Sequence, residues 1–266
     1  MKKICSNNFN VNENNQKFDF GAITTIGNRE EQQDCIGYDI KSNKMIAVIC
    51  DGMGGHEGGE IASQTAVERL LTEYYSLLPF HDIDQFFVES VIAIDGEISR
   101  LTKDDGTPLM AGTTIVAVII IENQLHWLSV GDSRIYLYRN GELVRPTVDH
   151  NYSLLLKQRL LDGEITEKDY QKESEKGSML ISFLGKGDLP MIDYSSTPLS
   201  LFQGDVILLS SDGMFKNLSE KDICKIIKNY DSAEDAVIEM EKRATKQARI
   251  DNKKRDNVSL LMIKIK

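Results

Sequence analysis

At 266 residues, with 41% hydrophobic and 27% charged side chains, the chain is long enough to bury a large core and has the composition of an ordinary folded domain. Its net charge of -10 argues against nucleic acid as a partner, because phosphate backbones call for a basic surface. No apolar stretch has the form of a signal peptide or the length of a bilayer span, so no membrane association is expected, and a cytoplasmic monomer is the default.

Residues 1–17 are polar and without periodicity, and are expected to form a flexible tail. The run Met45 to Cys50 reads as a buried strand, followed by a Gly-dense loop and a helix over Gly59 to Leu78. A second helix is expected over Asp84 to Leu101. Strands follow at Thr114 to Ile121 and Leu125 to Val130, then at Arg134 to Arg139 and Glu142 to Val144 across Asn140-Gly141, the signature of a type I′ hairpin. Helices are predicted over Tyr152 to Leu161, Thr166 to Lys172, Ser219 to Lys228 and Ser232 to Ala248. Ser219 and Ser232 serve as N-caps, and Thr166 forms a capping box with Asp169. Strands Val206 to Ser211 and Val258 to Ile265 complete the set. Short joins between consecutive strands require antiparallel pairing. No linker-like segment divides the chain, so a single α+β domain is expected.

The chemistry-bearing residues are aspartates placed just after apolar runs. Asp51 follows Met45 to Cys50, Asp132 follows Leu128 to Gly131, and Asp212 follows Val206 to Ser211. Each is then expected at a strand end on a sheet rim. Carboxylates gathered on one edge would repel by about 4 kcal/mol per pair at an effective dielectric of 20. A bound cation removes that cost, and oxygen donors without His or Cys at ligand spacing suit Mg²⁺ or Mn²⁺ better than zinc. For any one Asp-Gly pair a plain turn is the competing account. The neighbouring segments decide against it: the loop Asp51 to Ser63 is too Gly-dense for a hairpin, Arg29 and Asp34 lie upstream, and Asp256 immediately precedes the last strand.

Taken in order, Arg29 to Asp34, Asp51 to Ser63, Ala111 to Thr114, Val130 to Tyr136, Val148 to His150, Leu209 to Gly213 and Asp256-Asn257 resemble the metal-dependent protein serine/threonine phosphatases of the type 2C class, in their compact bacterial form. The resemblance covers about residues 20 to 264 and implies a four-layer αββα sandwich of two antiparallel β-sheets flanked by helices. It also implies a centre of two Mn²⁺ or Mg²⁺ ions bridged by Asp51. The Gly52 carbonyl would sit on one ion and Asp212 and Asp256 on the other, with Asp34 nearby and Asp132 joining Asp212 around a third, weaker ion. Arg29 would bind the substrate phosphate, since a guanidinium engages two phosphate oxygens at once. The substrates implied are phosphorylated proteins, with a serine/threonine kinase as the opposing enzyme.

The chain departs from the family pattern in three places. Met53 stands where animal-type members carry a His, which leaves His56 as the candidate proton donor to the leaving group; its other reading is a role in shaping the loop. Gln33 replaces a common Glu. The segment of about residues 151–194 resembles the family's flap but lacks its basic and His-Pro residues after Lys176. The alternative to an active phosphatase is a silent phosphoprotein-binding relative, which loss of a metal carboxylate would mark, yet Asp34, Asp51, Asp212 and Asp256 are all present. The basic cluster Arg243 to Arg255 reads as a solvated helix face, or as a docking site for acidic or phosphorylated segments. Cys5, Cys35, Cys50 and Cys224 show no metal spacing and are expected as reduced thiols, with Cys35 and Cys50 facing the core.

Overall fold

The computed structural model describes residues 2–5, 9–55, 58–76 and 82–266. In chain order it places β1 Lys2–Ile4, β2 Phe9–Asn14, β3 Phe18–Thr25, β4 Asp34–Lys41 and β5 Lys44–Gly54, then α1 Gly58–Ser76 and α2 Ile83–Ile98. The middle of the chain forms β6 Ala111–Thr113, β7 Ile115–Ile121, β8 Gln124–Val130, β9 Arg134–Arg139 and β10 Glu142–Val144, followed by α3 Tyr152–Leu161 and α4 Glu167–Glu173. Two-residue strands β11 Asp193–Tyr194 and β12 Leu199–Ser200 precede β13 Val206–Ser210, α5 Asp212–Phe215, α6 Glu220–Asn229, α7 Ala233–Ile250 and β14 Val258–Ile265.

Two antiparallel sheets result. One runs β1-β4-β5-β7-β8-β11, with β6 on β5 and β12 on β8; the other runs β10-β9-β13-β14-β3-β2. Because neighbouring side chains on a strand point to opposite faces, β5 serves two cores at once. Met45, Ala47 and Ile49 face the second sheet, where they join Phe18, Phe20, Leu209 and Ile263. Ile46, Val48 and Cys50 face α1 and α2 and meet Val67, Leu70 and Phe87. A third core packs α5, α6 and α7 on the outside of the second sheet through Met214, Ile223, Val237 and Met240. The order is helices, sheet, sheet, helices, the four-layer α+β sandwich expected from the resemblance. Strands buried on both faces carry no polar alternation, which is why Met45 to Cys50 and Ile115 to Ile121 are unbroken apolar runs.

The local signals hold as well. Asn140 and Gly141 both take positive φ, at 53° and 90°, as the primed turn between β9 and β10 requires. Thr166 and Asp169 form the reciprocal capping box of α4, and the Ser219 and Ser232 hydroxyls accept the third-residue N–H groups of α6 and α7.

Two expectations are corrected at the N-terminus. Lys2–Ile4 pairs with β4 and Phe9–Asn14 pairs with β3, so these parts of the expected tail are edge strands. These edge segments are made strands by pairing with β4 and β3, which the composition of a short polar terminus does not reveal. That pairing in turn overrides the reduced-thiol expectation for one pair of cysteines. Ile4 lies opposite Ile36, which brings Cys5 against Cys35 at a Cα separation of 4.4 Å, and the two form a disulfide. Cys50 is buried and free, and both it and Cys35 face the core as expected. Among the described residues, no helix is long and apolar enough to cross a membrane.

Close packing of α7 on β3 depends on Gly21. A Cβ there would press into the backbone of Ala233 and Glu234 at the start of α7, while the neighbouring Asp19 carboxylate accepts the Ala233 N–H at 2.9 Å. Gly21→Ala is therefore expected to destabilise the fold by about 1–3 kcal/mol, the usual cost of overpacking. Urea unfolding checks this, and an unchanged midpoint would show that α7 can lift without penalty.

Candidate metal centre

The predicted carboxylates gather at one end of the sandwich, though not on one sheet edge. Asp34 and Asp51 are register partners across β4 and β5 of the first sheet. Asp132 follows β8 of that sheet, whereas Asp212 follows β13 and Asp256 precedes β14 in the second. The carboxylates thus converge from both sheets, which strand-end reasoning alone could not foresee. Asp51, Gly52, Asp132, Asp212, Asp256 and Arg29 line a common cleft of about 830 Å³. His56 lies outside the described residues.

Backbone pairing fixes Asp51. Its N–H donates to Thr114 Oγ1 at 3.1 Å, and its carbonyl accepts from the Thr114 N–H at 2.9 Å and Thr113 Oγ1 at 3.0 Å. Beyond it, β5 continues because Gly52, Met53 and Gly54 pair with β6. Gly52 is obligatory for space: a Cβ would run into the carbonyl oxygens of Gly59 and Gln33, the latter already accepting the Gly52 N–H. The Gly-rich loop therefore works here through close backbone approach.

Asp34 is buried, and Ser211 Oγ donates to its Oδ2 at 2.8 Å. Ser211 stands at the N-cap of α5 but makes no side-chain cap; its hydroxyl goes to Asp34 and accepts the Ser259 N–H at 2.9 Å, tying the two sheets together. Asp256 receives a hydrogen bond from Arg29 Nη2 at 2.5 Å, and Asp212 pairs with Lys216 one turn along the chain. Asn257 ties the Arg29 loop to β14, its Oδ1 accepting the Gln33 N–H and its Nδ2 donating to the Ile26 and Glu31 carbonyls. Asp132 is set by a clamp behind it. Asp149 grips Arg134 through two hydrogen bonds at 2.9 and 2.6 Å, the guanidinium stacks 3.7 Å from the Phe215 ring centroid, and buried His150 accepts the Gly131 N–H at 3.2 Å. The Val148 to His150 motif is thus scaffolding.

The electrostatics are those of crowded anions. Burial, then the charges of Asp34, Asp212, Asp132 and Asp256, pushes Asp51 well above the usual carboxylate range. Burial raises Asp34 to about 7 despite hydrogen bonds from Ser259 and Ser211, and burial with Asp212 raises Asp132 to about 6. The Asp256 hydrogen bond leads the forces that hold Arg29 above its ordinary value. Among the described residues no three acidic, His or Cys side chains close on a single point at ligand distance, and Arg29 and Lys216 engage Asp256 and Asp212. The donor set nevertheless fits a hard divalent cation: all oxygen, strongly anionic, with carboxylates whose ionisation is penalised until positive charge arrives. Lys216, Thr114, Ser211 and Asn257 are site residues whose roles sequence reasoning did not assign. Thr114, Ser211 and Asn257 lay inside quoted motifs, whereas Lys216 sits four residues after Asp212 with only the helical i,i+4 spacing to betray it. Met179, Leu180 and Phe183, from the segment read as a flap, also border the cleft.

Comparison with known proteins gives the family. A family profile described as Protein phosphatase 2C matches residues 24–253. The serine/threonine phosphatase stp of Listeria monocytogenes serotype 4b is 32% identical over 196 residues, covering 72% of this chain and 75% of that protein. Protein phosphatase PhpP of Streptococcus pneumoniae is 28% identical, covering 79% and 84%. The solved serine/threonine phosphatase of S. agalactiae superposes with a TM-score of 0.79 at 25% identity over 94% of this chain and all of that one. A similar fold, with TM-score 0.72 and 23% identity over 94% and 98%, is that of the PstP catalytic domain solved with two manganese ions. With the profile spanning most of its length and a serine/threonine phosphatase 32% identical over 72% of it, the chain belongs to the protein phosphatase 2C family and is a protein serine/threonine phosphatase.

Proposed function

We propose that the cleft hydrolyses phosphoserine and phosphothreonine in proteins at a centre of two Mn²⁺ or Mg²⁺ ions, opposing a serine/threonine kinase. The observation that supports this reading is the mutual crowding of Asp34, Asp51, Asp132, Asp212 and Asp256, which the fold maintains at an electrostatic cost that bound cations would offset. Asp51, Asp34, Asp212, Asp256 and the Gly52 carbonyl would hold the pair, and Asp132 with Asp212 would offer a weaker third position. When bound, such ions lower the pKa of water and stabilise charge on a transferring phosphoryl group.

The chain's own residues do the rest. Arg29 is half-exposed in the cleft and pairs with Asp256, and its planar guanidinium would be the group to grip two phosphate oxygens of a substrate. Lys216, paired with Asp212, would add a second positive charge on that side of the cleft. The Thr113 and Thr114 hydrogen bonds fix the Asp51 backbone, which supports the preorganisation that electrostatic catalysis requires. Met53 offers no proton to the leaving alkoxide.

The test is phosphate release from a phosphothreonine peptide by chelator-treated protein. The account expects no turnover until Mn²⁺ or Mg²⁺ is restored, and loss of the restored rate in Asp212→Ala. Turnover that persists in chelator would overturn the two-ion reading, and a folded but inactive chain at every metal concentration would favour the silent phosphoprotein-binding relative.

A further inference from the structure

Beside the metal cleft a second groove of about 930 Å³ runs between the α5–α6 connection and one face of α7. The two share Lys216, which lines both, so the groove adjoins the cleft. The groove's acids are already engaged. Glu239 holds Arg243 at 2.6 Å, and Asp222 is bonded to the Ser219 hydroxyl at 2.6 Å and to Lys225 at 3.3 Å. Lys242 and Lys246 are exposed, one helical turn apart on the same face, and neither has an ion-pair partner among the described residues. Two exposed ammonium groups without a salt bridge, of which Lys242 also acts on Glu239 through space, lie beside the cleft of a chain with net charge -10 and give this face a sign opposite to that of the whole molecule.

We propose that this groove receives an acidic segment of the phosphoprotein substrate, lying on one side of the phosphorylated residue, with Lys242 and Lys246 pairing its Asp or Glu side chains. The proposal rests on the phosphatase reading of the cleft. From Lys242 to Ile250 the face is about 12 Å long, at 1.5 Å per helical residue. That length matches three to four residues of extended peptide at about 3.3 Å each. Ile250 closes the far end with 66% of its surface exposed, a place for one apolar side chain beyond the acidic stretch. Of the basic cluster Arg243 to Arg255, Lys254 borders the metal cleft, whereas Arg243 and Lys246 line this groove. The substrate class it selects is phosphopeptides with acidic flanks, and the selection is exerted on binding.

The experiment compares kcat/KM on three phosphothreonine peptides: one with neutral flanks, one with an Asp/Glu block three to six residues before the phosphothreonine, and one with the block after it. Each is assayed with the intact chain, the double variant Lys242→Gln/Lys246→Gln and the double variant Lys242→Glu/Lys246→Glu, beside a small aryl phosphate. The expected result is a preference of about tenfold for one acidic peptide over the neutral one, residing in KM and shrinking with added salt. It should vanish in the Gln variant and invert in the Glu variant, while aryl phosphate turnover stays constant. A preference that is absent from the intact chain, or that survives both variants, overturns the proposal. Failure of aryl phosphate hydrolysis in the intact chain would instead sink the phosphatase reading, and the groove proposal with it.

Discussion

Asp51→Asn should abolish turnover and at the same time make the metal-free protein harder to unfold. The activity loss is expected at about 10³-fold or more, which corresponds to about 4 kcal/mol of transition-state stabilisation. It follows from the position of Asp51 at the centre of the cluster, where the charges of Asp34, Asp212, Asp132 and Asp256 all act on it. The gain in stability has the same origin. An amide of equal shape keeps the backbone bonds to Thr113 and Thr114, yet removes one anion from a set that repels itself. Activity and stability moving in opposite directions is the behaviour of a site whose strain is retained for function. Phosphopeptide hydrolysis and thermal unfolding of chelated protein check the two halves. A variant that loses activity and also melts lower would show Asp51 to be a structural residue instead.

The second large effect is in the pH dependence of stability. Asp34 and Asp132, at about 7 and about 6, and Asp51, which burial and its neighbours' charges also push well up, all lie above the range near 3.9 of an unfolded Asp. Between those limits the folded chain holds more protons than the unfolded one. The stability of metal-free protein is therefore fully present near pH 4 for these groups and is lost as pH rises through 6 and 7. Each unit of elevation is worth about 1.4 kcal/mol, so chelated protein should melt on the order of 5 °C lower at pH 8 than at pH 5.5. Divalent cations bind the ionised carboxylates, so Mn²⁺ should reverse the trend and raise the melting temperature most at pH 8. A chelated protein that gains stability over this window would contradict the crowded-anion account.

How much of this was legible in the sequence depended on what each residue answers to locally. Val258 to Ile265, Arg134 to Arg139 and Tyr152 to Leu161 coincide with β14, β9 and α3, because apolar period and turn residues are set within a few positions. The two N-terminal edge strands were not readable, since β1 and β2 depend on partners already in place in β4 and β3. The Cys5–Cys35 disulfide was hidden for the same reason. In the site, each aspartate carried a motif, but their convergence from two different sheets is a property of the sandwich. Lys216 had no motif of its own, and its importance appears only when Asp212 is seen beside it in the cleft. The role of Asn257 likewise needs the Arg29 loop to be folded against β14 before its three hydrogen bonds make sense.

The claim on which the account turns is that the carboxylate cluster is a metal centre. It is tested most directly by calorimetric titration of Mn²⁺ into chelated protein at pH 8, for the intact chain and for Asp51→Asn. The account predicts at least two ions bound per intact chain, with proton release, and loss of the pair in the variant. Binding of no ions by the intact chain, or identical binding by the variant, would contradict it.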